Sequence, residues 1–104
     1  MNANQLNQLS MKILMDAGHA KTELAQLLDD LETTTPDQHQ IDQKLGNAAK
    51  WLKRAHLQQN KVMQQAEQLT YSILLTHAQD TLMNTETIYF LVKRFVPIIL
   101  KSKN

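Results

Sequence analysis

The densest group of chemically capable residues in this 104-residue chain is His77-Ala78-Gln79-Asp80. Histidine has an ordinary pKa of about 6.5, so near neutral pH an imidazole nitrogen is available as a nucleophile. On a helix, His77 and Asp80 are three residues apart and project to neighbouring positions on one side. A polar spot on a solvated helix face has the same spacing. The apolar neighbours Ile73, Leu74, Leu75 and Leu82 argue against full exposure. The other histidines are weaker candidates. His39 falls in a polar stretch and reads as solvated; His19 and His56 read as surface or partly buried structural groups. No H-x-x-x-H spacing supports a histidine metal site. The chain has no cysteine, which excludes disulfides and thiolate metal sites.

These residues need helices to position them, and the apolar spacing predicts three. Leu6, Leu9, Ile13, Ala17, Ala20, Leu24, Leu27 and Leu31 step by three or four, which gives a first helix over roughly 3–32. It should stop at Thr33-Thr34-Thr35-Pro36, where β-branched residues precede a proline. Thr35 or Asp37 can cap the second helix, with Pro36 suited to its first turn. There Ile41, Leu45, Ala48, Leu52, Ala55, Gln59, Val62 and Ala66 form the stripe, Gly46 lies within, and the next break is expected near Gln68 to Tyr71. The third helix carries two stripes. One is Leu75, Ala78, Leu82, Thr85, Tyr89, Val92, Val96 and Ile99. The other is Leu74, His77, Thr81, Asn84, Ile88, Leu91, Phe95 and Ile98. They are offset by about 100° around the helix. A lone three-helix bundle needs only one buried stripe per helix, so the second predicts contact with another subunit. It is apolar at both ends and polar at His77, Thr81 and Asn84, a break that invites a functional reading. Pro97 should kink this helix or bring it near its end. The expected fold is all-α: an antiparallel up-down-up three-helix bundle, with residues 1–104 as one domain. Met11, Met15, Met63 and Met83 read as core filler, and Trp51 as packing or a bundle edge.

The run Leu74-Leu75-Thr76-His77-Ala78-Gln79-Asp80-Thr81-Leu82-Met83 resembles the signature L-L-x-H-A-Q-D-H-L-M of the lactose/cellobiose enzyme IIA family of sugar phosphotransferase systems. Ala17-Gly18 followed by Ala20, and Ala55-His56 with Gln59, resemble further family segments, so the likeness covers essentially the whole chain. It implies that His77 accepts a phosphoryl group from HPr and passes it to a IIB protein, for a sugar of the lactose, cellobiose or chitobiose type. It implies a homotrimer with the third helices around the three-fold axis, where Asp80 binds a divalent metal, Mg²⁺ being the expected ion. Gln79 is implied as an active-site neighbour. Thr81 replaces the signature's second histidine. It cannot supply a cationic imidazole, but its hydroxyl can give one hydrogen bond to the phosphoryl group. His19 follows the A-G pair where the family usually has Asn or Asp, and Asn60 replaces a threonine that often follows Gln59. The other reading is a non-catalytic helical interaction or regulatory module built on the same bundle.

Composition narrows the partners. A formal charge of +1 makes no electrostatic case for nucleic acid. No apolar run approaches the roughly 20 residues of a spanning helix, so no direct membrane insertion is expected. Met1-Asn2-Ala3-Asn4-Gln5 lacks the basic and apolar regions of a signal peptide, and a cytoplasmic location is expected. The absence of a Gly-rich phosphate loop fits a reaction without nucleotide.

Overall fold

The computed structural model describes residues 1–65 and 72–103, and these form three α-helices with no strand among the described residues. They are α1 (Ala3–Thr33), α2 (Gln38–Met63) and α3 (Ile73–Lys103). The break expected near Gln68 to Tyr71, and stripe residue Ala66, lie outside the described residues. Cross-helix pairs set the directions. Asp16 meets Gln58 while Gln26 meets Lys44, so α1 and α2 run antiparallel. Gln79 meets Met63 while Glu86 meets His56, so α2 and α3 also run antiparallel. The bundle measures 55 × 19 × 16 Å, its long axis somewhat longer than the roughly 46 Å of a 31-residue helix at about 1.5 Å per residue.

The helix boundaries follow from local chemistry. Asn2 caps α1 in a capping box: its side chain accepts from the Gln5 backbone N–H at 2.8 Å, and the Gln5 side chain accepts from the Asn2 N–H at 3.0 Å. Asp37 and Gln40 do the same for α2, at 2.8 and 3.0 Å. The cap is therefore Asp37 and not Thr35. Pro36 lies before the cap, buried, and not in the first turn. α1 ends where Thr34 turns extended and its N–H and hydroxyl both donate to the Asp30 carbonyl at 2.9 Å. At the same end Lys103 of α3 donates to the carbonyls of Leu31 and Thr34. A cation there satisfies orphan carbonyls and complements the helix dipole. Pro97 stands inside α3, which continues to Lys103 without the bond that an N–H at this position would give to Lys93.

The core is built from the expected stripes. Ile13, Ala17, Ala20, Leu24 and Leu27 of α1 are almost wholly buried, with Ile41, Ala48, Ala55 and Val62 of α2 and Ala78 and Leu82 of α3. Each large aliphatic side chain so buried stabilises the fold by about 1.5–3 kcal/mol. The methionines do not fill it: Met11, Met15, Met63 and Met83 are all exposed. Each falls one or two residues from a stripe position, and such neighbours point away from the buried face.

Candidate functional site

His77 stands in the second turn of α3, and the start of that helix is fixed by Ser72, whose hydroxyl accepts from the Leu75 N–H at 3.1 Å. The Thr76 hydroxyl donates to the Ser72 carbonyl at 3.0 Å. Leu75, Ala78 and Leu82 are buried and hold the helix against the bundle, so His77 rides on a fixed scaffold. The imidazole itself is exposed. The expected shielding by neighbours is not provided within one chain: Ile73 is 74 % exposed and Leu74 only half-buried. These two lie towards the outer side of α3, away from the core stripe.

Asp80 shares the outward side with His77 and is exposed, with no ion pair among the described residues. No group of three acidic, histidine or cysteine side chains gathers anywhere among the described residues. One exposed carboxylate is a weak site for a hard cation, whose remaining positions would be filled by water. Thr81 is half-buried, and its hydroxyl donates to the His77 carbonyl at 2.8 Å. Thr85, buried, donates in turn to the Thr81 carbonyl at 2.7 Å. The Thr81 proton is thus engaged by the helix, and bonding a phosphoryl oxygen requires it to leave that carbonyl. Gln79 is two residues from His77, about 200° around the helix. It faces α2, where its amide approaches the Met63 sulfur at 3.6 Å. His77, Asp80 and Thr81 therefore share one side of α3, and Gln79 takes another.

The second stripe of α3 is left largely uncovered. Leu91, Phe95 and Ile98 are 43, 52 and 60 % exposed. Ile88 is half-buried against the core edge. The first stripe, from Leu75 to Val96, is buried apart from Tyr89, half-buried like Ile99 beyond it.

Other polar groups take places that residue spacing does not announce. Asp16 is buried in α1, accepts from Gln58 Nε2 at 3.0 Å and lies 3.6 Å from Arg54 Nε. Its place between Ile13 and Ala20 on the buried stripe was the signal. His56 is exposed and pairs with Glu86 of α3 at 3.3 Å. His19 stacks on Trp51 with ring centres 4.4 Å apart. In the A-G pair, a Cβ on Gly18 would meet nothing within 4 Å, so that glycine is not required for close packing.

Comparison with known proteins bears on the whole bundle. The sequence profile of the lactose/cellobiose-specific IIA subunit family of phosphotransferase systems matches residues 8–99. The lactose-specific EIIA component of the phosphotransferase system of Staphylococcus epidermidis is 28 % identical over 105 residues, covering 98 % of this chain and 99 % of its own.

Proposed function

Because the chain belongs to the lactose/cellobiose-specific IIA family of the sugar phosphotransferase system, we propose that it is a phosphoryl carrier with His77 as the acceptor. The observation that carries this reading is an exposed imidazole on a rigid helix, inside a run that matches the family signature at every position but the second histidine. A ring nitrogen of His77 attacks the phosphorus of phosphohistidine HPr in line. The N–P bond to HPr breaks as the bond to His77 forms. A second in-line transfer then hands the group to the IIB protein. The transition state is loose, so the protein contributes positioning and charge more than covalent chemistry. Exposure suits the docking of both partners, which supply the water exclusion that one chain lacks. A relay of this kind operates in the cytoplasm.

The uncovered stripe of α3 supports a homotrimer about the third helices. In that assembly Leu91, Phe95 and Ile98 are covered, and three Asp80 carboxylates converge. Their repulsion favours a divalent cation with hard oxygen ligands, Mg²⁺ first. Gln79 enters the site as a neighbour of His77 on the signature alone, since its side chain faces α2 of its own chain.

A non-catalytic interaction module is the second reading, and the Thr81 hydroxyl committed to the His77 carbonyl favours it. Incubation with HPr, its upstream kinase and phosphoenolpyruvate separates the two. A carrier gains one acid-labile phosphoryl group and gives it up to IIB; a module gains none.

A further inference from the structure

On the face that α1 and α2 form together, a groove of about 420 Å³ is lined by Glu23, Asn47, Lys50, Trp51 and Arg54. Arg54 is held from two directions. Its Nε lies 3.6 Å from the buried Asp16 carboxylate, and its guanidinium carbon lies 5.1 Å from the centre of the Trp51 ring. Trp51 is itself braced by the stacked His19 ring. The terminal nitrogens of Arg54 take no hydrogen bond among the described residues, and its side chain is 62 % exposed. A guanidinium fixed in this way keeps a planar pair of donors for an oxyanion and loses little freedom when it binds one. Lys50 lines the same groove, exposed and without an ion pair among the described residues.

The acidic member of the lining decides which anion fits. Glu23 lines the groove half-buried: its Oε2 is buried and ion-paired with Lys44 at 3.4 Å, which leaves the other carboxylate oxygen as the one a ligand can meet. A bare phosphate meets this carboxylate as a like charge. A phosphate ester that also carries hydroxyl groups offers donors to it, and Asn47 supplies an amide able to donate or accept beside it. We propose that this groove binds a polyhydroxylated phosphate monoester, of the sugar-phosphate class, with the phosphate on Arg54 and Lys50 and the hydroxyls on Glu23 and Asn47. The site lies on α1 and α2, and it stands whether or not His77 is the phosphoryl acceptor.

Trp51 is the single tryptophan of the chain, so its emission reports on this groove alone. Glucose 6-phosphate, inorganic phosphate and glucose are titrated at constant ionic strength into the full chain. The proposal expects a saturable response to glucose 6-phosphate, a several-fold weaker one to inorganic phosphate and none to glucose. Arg54→Gln and Lys50→Gln should each weaken the response to both phosphates; Lys50 makes no contact on which the fold depends, so its variant decides if Arg54→Gln unfolds. Glu23→Gln should bring the affinity for inorganic phosphate up towards that for glucose 6-phosphate. A lack of saturation in the wild-type protein overturns the proposal. So does an equal response to both phosphates, which means an adventitious ion only, or a response that survives Lys50→Gln and Arg54→Gln unchanged.

Discussion

At the residue scale, the proposed phosphoryl transfer turns on what surrounds one exposed imidazole. The family signature places a second histidine one turn after the first, and this chain has Thr81 there, donating to the His77 carbonyl. A hydroxyl so engaged offers the incoming phosphoryl group no positive charge. Thr81→His should therefore speed transfer from phosphorylated HPr while leaving the site of labelling unchanged; single-turnover labelling in quenched flow measures it. A slower or equal rate means that Thr81 is already suited to the reaction. Asp16 makes a different kind of claim. It is a buried carboxylate whose partners are Gln58 and Arg54, and its removal leaves the Gln58 amide without an acceptor. Asp16→Ala should cost about 1–3 kcal/mol in denaturant unfolding, with phosphoryl transfer retained in the folded fraction.

At the scale of the helix, the apolar stripes were legible because a 3.6-residue period fixes which positions face inward. Leu6 to Leu31, Ile41 to Val62 and Leu75 to Val96 follow it with few departures. Hydrophobicity without register misplaces the methionines: Met63 adjoins the buried Val62 and Met83 the buried Leu82, yet both are exposed. Asp37 and Thr35 were indistinguishable as caps, since both side chains can accept from a backbone N–H. The capping box with Gln40 decides between them. The His77, Asp80 and Thr81 side of α3 could be read from spacing, whereas the Thr81 bond, the Gln79 contact with α2 and the Trp51–His19 stack depend on rotamers and neighbouring helices that no single-chain pattern encodes. Gly46 offers a test of the helix account. It is exposed inside α2, and an added Cβ meets nothing within 4 Å. Gly46→Ala should stabilise the protein by up to about 1 kcal/mol, read as a rise in the urea midpoint with an unchanged slope.

At the scale of the whole molecule, one bundle leaves a ridge of Leu91, Phe95 and Ile98 on α3 facing solvent, with Asp80 further along the same side. The proposed assembly about that ridge would account for the two apolar stripes of the helix. Phe95→Glu should convert a trimer into monomers in sedimentation equilibrium, and chelator should lower the thermal stability of the wild-type trimer by unmasking the repulsion between Asp80 carboxylates. A wild-type protein that sediments as a monomer at micromolar concentration rules out both. The carrier role itself rests on a single bond, between phosphorus and a nitrogen of His77. The most direct measurement is mass-spectrometric mapping of the phosphoryl group after incubation with HPr, its kinase and phosphoenolpyruvate, on the wild-type chain and on a folded His77→Gln variant. The account predicts one phosphoryl group on His77 and none on the variant. Label on His19, His39 or His56, label that persists in the variant, or no label on the wild-type chain would contradict it.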